Sequence, residues 1–182
     1  MSFEKLIRSA RKRPLFVPGV TTRKVELGLT DIERILPHRS PFRFIDLISA
    51  VDLEEQAAIG HRGIDPEDPN LAGHFPGDPV YPGVLLVETM AQLGICLHHV
   101  HATGRTETRP GDRPPGLRLL KIHHALFMAE ARPGDQLTVI SKIVEDNGYT
   151  AVLAGQVFRE DTICAMAIME AILLVEQGGE GL

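Results

Sequence analysis

The chain has 182 residues, 43% of them apolar, with 19 basic and 24 acidic side chains giving −5 with His neutral. That length fits one compact domain with a real core. A mildly acidic chain without Trp and with only two Tyr lacks the basic face and stacking aromatics of a nucleic-acid binder. No uninterrupted apolar run reaches the roughly 18 residues of a membrane span. Cys96 and Cys164 sit in apolar runs and read as buried thiols of a reducing cytoplasm rather than a disulfide.

Residues 1–29 form an N-terminal extension. Its opening, MSFEKLIRSARKRPLFVPG, is basic but has no apolar core of signal-peptide length. The expectation is a solvated, loosely ordered arm. A single domain is assigned to residues 30–177. Thr30-Asp31-Ile32-Glu33 predicts a short helix, with Thr30 as cap and Glu33 closing a capping box, stopped by Pro37. Arg43 to Val51 and Ala57 to Ile64 read as strands, followed by a Pro/Asx-rich loop over 65–70.

Gly83 to about His101 predicts a long helix that is apolar on nearly all sides and therefore buried. Residues 102–116 are charged and Pro/Gly-rich, and read as a mobile loop. Strand-length pieces follow at Leu117 to Phe127, Gln136 to Glu145, Tyr149 to Arg159 and Thr162 to Val175. Asn147-Gly148 predicts a type I′ hairpin, and Glu160-Asp161 supports a second turn. Six strands and one buried helix imply an α+β fold, an antiparallel sheet wrapped around the helix.

The informative segment is Gly73-His74-Phe75-Pro76-Gly77-Asp78-Pro79-Val80-Tyr81-Pro82-Gly83, which runs straight into that helix. Pro82 just before the first turn leaves the Gly83 and Val84 N–H groups pointing out of it, a site for a carbonyl oxygen gaining negative charge. Glu88 lies among apolar neighbours with no basic residue near in sequence. Burial favours its neutral form, which a general acid needs; the structural reading is an ion pair at a loop or subunit boundary. Gln92, one turn on, is placed to orient it. His74 is a hydrogen-bonded loop residue or, paired with Glu88, a general base. Phe75, Tyr81, Val84 and Phe127 are candidate walls of an apolar tunnel.

Leu36-Pro37-His38-Arg39-Ser40-Pro41-Phe42, Ile45-Asp46, GHFPGDPVYPGVLLVETMAQ and Ala131-Arg132-Pro133-Gly134-Asp135 closely resemble the bacterial β-hydroxyacyl-acyl carrier protein dehydratases of dissociated fatty acid synthesis. The resemblance covers about residues 30 to 175. It implies a hot-dog fold and a homodimer at minimum, a trimer of dimers being the larger assembly open to it, with active sites at the subunit interface. It also implies His74 and Glu88 as the catalytic pair, and the Gly83 amide near the thioester carbonyl. The sister family that also isomerises the product has Asp for the acid and Trp before the Gln. Glu88 and Ala91 stand there in this chain and favour simple dehydration. The reaction needs no metal or cofactor.

Leu126 and Met128 stand where the family typically has Arg, beside the carrier-protein approach, so the carrier is acyl carrier protein or coenzyme A, in a primary or specialised pathway. Arg105, Arg109, Arg113, Arg118 and Lys121 serve solubility or dock an acidic carrier. His98, His99 and His101 lack a nearby Cys or carboxylate to complete a metal site. A hot-dog thioesterase and a non-catalytic acyl-binding subunit are the alternatives.

Overall fold

The computed structural model describes residues 2–69 and 71–174; Asn70, Val175 and the expected domain end at residue 177 lie outside them. In chain order the elements are α1 (Phe3–Ala10), β1 (Arg23–Leu27), α2 (Leu29–Ile35), β2 (Leu47–Asp52), β3 (Ala57–Gly63), α3 (Gly83–Thr103), β4 (Leu117–Phe127), β5 (Gln136–Asp146), β6 (Thr150–Arg159) and β7 (Thr162–Leu173). The strands form one seven-stranded antiparallel sheet in the order β1-β2-β3-β5-β6-β7-β4. It wraps around α3, the hot-dog arrangement.

Helix α3 is long and apolar enough by composition to cross a bilayer, but 67% of its most apolar window is buried inside the protein. Met90, Leu93, Cys96 and Leu97 pack against the inner sheet face with Leu137, Val139, Leu153 and Val157. Full burial of such side chains contributes about 1.5–3 kcal/mol each. Close approach of β6 to α3 requires Gly155, because a Cβ there would meet Met90 Cβ at 2.6 Å.

The extension is not a loose arm. Residues 2–22 cross the outer sheet face from β4 toward β1. Phe3 packs edge-on against His123 at 5.1 Å, and Leu6 and Ile7 cover Val152, Ala154, Met166 and Ile168. Gln156, fully buried, donates to the carbonyls of Ala10 (2.5 Å) and Arg13 (3.0 Å) and accepts from Leu15 N–H (2.6 Å). Phe16 then packs on Ala57, Ile140 and Phe158, and Thr21 and Thr22 bond Asp52. The extension's last residues form β1 and begin α2. Sheets buried on both faces carry near-continuous apolar strands, and β6 and β7 do so because this strap covers them.

Three local expectations are corrected. Helix α2 starts two residues early: Gly28, in extended conformation, is the N-cap, and Thr30 lies inside the first turn. The 43–51 strand begins only at Leu47, because the Phe44 N–H is taken by the Gln92 side chain. The Asn147-Gly148 turn is not type I′, which needs positive φ at both residues; only Gly148 has it (79°). Asn147 instead accepts from the N–H groups of Tyr149 and Thr150. Within segment 102–116, Asp112 pairs with Arg105 at 2.8 Å and takes the Arg109 N–H, while Thr108 bonds Asp31.

Candidate active site

The loop before α3 is folded to present one ring nitrogen. Phe75 and Asp78 close a tight turn by reciprocal backbone bonds, with Gly77 at φ 83°. The His74–Phe75 peptide is cis. Val80 N–H donates to the His74 carbonyl at 2.8 Å, and His74 Nδ1 lies 2.8 Å from the Val80 carbonyl oxygen. A carbonyl only accepts, so Nδ1 carries the proton and Nε2 keeps a lone pair. The Pro-Gly-Asp turn supports this loop from outside: Tyr81 N–H donates to Ala131 O at 2.7 Å, and Arg132 pairs with Asp78 at 2.6 Å.

His74, Tyr81, Gly83, Val84 and Phe127 line one cavity of about 510 Å³. At its floor α3 begins. The first bonds back to Pro82 O come from Leu85 and Leu86 N–H, so Gly83 and Val84 precede the helical ladder with their N–H groups free for a ligand. The Phe127 ring covers Gly83 so closely that a Cβ would meet ring carbons at 2.8 Å. Tyr81 is buried to 1% exposure, and burial pushes its hydroxyl up to about 12, with the Arg62 charge opposing. It is a neutral core wall. Phe75 lies outside this cavity, its ring stacked on His74 at 4.3 Å.

Glu88 lines a different cavity, of about 360 Å³, with Pro37, His38, Ala91, Ile95 and residues of β4, β6 and β7. Gln92 Nε2 donates to Glu88 Oε1 at 2.9 Å and to Phe42 O at 2.9 Å, and its Oε1 accepts from Phe44 N–H at 2.7 Å. Within one chain, therefore, His74 and Glu88 open onto separate cavities, and Gly83 and Val84 belong to the His74 side.

Residues 36–168 match the FabA-like domain model. The chain belongs to the FabA-like family. It is 31% identical over 148 residues to the 3-hydroxyacyl-[acyl-carrier-protein] dehydratase FabZ of Sulfurimonas denitrificans, covering 81% of this chain and 97% of that one. To its namesake from Campylobacter concisus it is 33% identical over 149 residues, covering 81% and 98%. Among solved structures, the dehydratase heterocomplex ApeI:P from Xenorhabdus doucetiae aligns with TM-score 0.60 at 14% identity, over 80% of this chain and 92% of that one. A Staphylococcus aureus acyl-CoA hydrolase variant with coenzyme A aligns at TM-score 0.52 and 13% identity, over 70% of each. At such identities the two structures speak for the fold alone.

His38 carried no role in the sequence reading, although it sits inside the Leu-Pro-His-Arg motif; its Nε2 lies 3.6 Å from Glu88 Oε1. The three histidines at the end of α3 take three separate partners: His98 faces Asp146, His99 faces Asp112, and His101 meets Gln56. Burial pushes the Cys96 thiol up to about 12, which makes it inert as a nucleophile.

Proposed function

We propose that this chain dehydrates a (3R)-3-hydroxyacyl thioester to the trans-2-enoyl thioester, working as a homodimer whose sites pair His74 of one subunit with Glu88 of its partner. The observation that carries this reading is the His74 Nδ1 bond to Val80 O, which leaves Nε2 as a base aimed into a cavity floored by the N-terminus of α3. The thioester carbonyl accepts from Gly83 N–H, which makes the C2 proton acidic. His74 Nε2 takes that proton, Glu88 protonates the 3-hydroxyl, the C3–O bond breaks and water leaves. The proton on His74 then returns to Glu88. The thioester is the electron sink, so no cofactor enters the chemistry.

Strand β4 supports the dimer. This edge strand exposes Leu119, Leu120, Ile122 and Phe127, each about half exposed. An apolar unpaired edge is a template for another strand. Its start, Leu117 to Leu119, lines the Glu88 cavity, and its end, Phe127, lines the His74 cavity. Pairing two β4 strands antiparallel sets the end of one against the start of the other. Each His74 cavity then adjoins a Glu88 cavity from the partner, twice per dimer.

The acyl carrier protein named for the relatives supports a carrier-bound substrate, and Ile95, Leu153, Met169 and Ala171 beside Glu88 are walls for the acyl chain. The unpaired buried thiols Cys96 and Cys164 suit the cytoplasm. Incubation with 3-hydroxyacyl thioesters on carrier protein and on coenzyme A, read by mass spectrometry, is expected to give product lighter by one water. A free acid would refute dehydration. Mixed dimers of His74→Ala with Glu88→Gln are expected to regain activity that neither homodimer has; inactivity of the mixture would refute the shared site.

A further inference from the structure

His38 takes no part in the chemistry just described, yet it is built against the proton donor. Its ring and the Glu88 carboxyl are each about one quarter exposed, and Nε2 faces Oε1 at 3.6 Å. Gln92 Nε2 donates to that same Oε1. The His38 ring is held by its surroundings: Phe42 lies alongside at 5.9 Å between centroids, and Arg39 clamps the loop by donating to the carbonyls of Glu33, Leu36 and His38, 2.8 Å in each case. Phe42 O is in turn bonded by Gln92. The other charged group lining this cavity among the described residues is Arg118 of β4, whose guanidinium donates to Leu117 O at 2.9 Å.

His38 Nδ1 is buried with no hydrogen-bond partner among the described residues. The ring proton therefore belongs on Nε2, where an acceptor faces it. We infer that His38 is a positioning residue whose Nε2–H serves with Gln92 as a second donor to Glu88 Oε1, leaving Oε2 as the oxygen that carries and releases the catalytic proton. The separation of 3.6 Å exceeds a hydrogen bond, so the donation requires the two side chains to close on each other during the catalytic cycle. The inference rests on Glu88 being the proton donor, and the experiment separates the two.

Steady-state dehydration and thermal unfolding are measured for His38→Ala, His38→Gln, Glu88→Gln and the double variant His38→Ala/Glu88→Gln. His38→Ala is expected to lower kcat about tenfold, as loss of one hydrogen bond to a carboxyl that gains negative charge on giving up its proton would, with KM within about twofold of wild type. His38→Gln, whose amide nitrogen reaches toward the place of Nε2, is expected to recover most of the rate. In the Glu88→Gln background His38→Ala is expected to add no further loss, because no proton remains to be directed. A tenfold loss that persists in that background overturns the assignment of His38 alone. A folded His38→Gln enzyme as slow as Glu88→Gln, or a His38→Ala enzyme with wild-type kcat, overturns it too. Near-normal turnover by Glu88→Gln overturns the parent reading together with it.

Discussion

Gln92 holds Glu88 by one hydrogen bond and the Phe42–Phe44 segment by two, all from a single fully buried amide. Replacing it with Leu keeps the volume but strands the Phe44 N–H and the Phe42 carbonyl. Phe44 is fully buried, and a buried group left unpaired costs about 1–3 kcal/mol, whereas half-exposed Phe42 has water within reach. Gln92→Leu is therefore expected to lose about 2 kcal/mol in urea unfolding, and its kcat is expected to fall as Glu88 loses its orientation.

Glu88→Gln preserves size and an amide but has no proton for the leaving hydroxyl. General acid assistance is typically worth ~10²–10⁴-fold. A kcat loss in that range is expected with KM little changed, since the Gly83 side of the site is untouched. Single-turnover rates of enoyl product formation check it.

Gly83→Ala places a methyl group 2.8 Å from the Phe127 ring carbons. The clash falls on one side chain at the end of edge strand β4, so the fold is expected to survive while the cavity beside His74 narrows. The expected result is a drop in kcat/KM of about tenfold to a hundredfold, since a reacting group misplaced by about 1 Å can cost about 10²-fold. Phe127→Leu in the same chain is expected to restore part of it. An unchanged kcat/KM in Gly83→Ala would show that substrate does not pass this point.

Asp52 fastens the N-terminal strap. It is fully buried, and accepts from the Thr21 and Thr22 hydroxyls at 2.8 Å and from the Glu54 and Glu55 N–H groups. Burial pushes its carboxyl upward, but those four hydrogen bonds outweigh it and hold it below 3.8. A depressed carboxyl contributes stability that is present above its unfolded value and lost as pH falls through its folded one. Asp52→Asn is therefore expected to be less stable than wild type at neutral pH, and the gap is expected to close as pH drops below 3.8. Urea midpoints of both proteins across that range decide it.

The elements from α3 onward were legible because their signals are local. The all-round apolar run of residues 83–101 has only one solution, burial inside a sheet, and β4 to β7 were bounded by Pro, Gly and Asn-Gly punctuation. The GHFPG segment and Glu88 stood out as a candidate acid–base pair, since residue type and order alone carry that pattern. His38 stood in view within its motif, but its contact with Glu88 joins positions fifty residues apart.

What the sequence by itself determined is six of the seven strands and the buried helix; β1 lay inside the stretch read as an extension, and His74 with Glu88 is the acid–base pair it proposed. Only the tertiary structure decided that residues 2–22 strap the outer sheet face. The bonds that hold it, such as Gln156 to Ala10 across 146 positions and Asp52 to Thr21 across 31, leave no periodic trace in a short polar stretch. Only the tertiary structure decided, too, that His74 and Glu88 open onto different cavities of one chain. A separation of fourteen positions sets how far apart two side chains can lie; the turn at Phe75–Asp78 and the rotation of α3 set which way each one points.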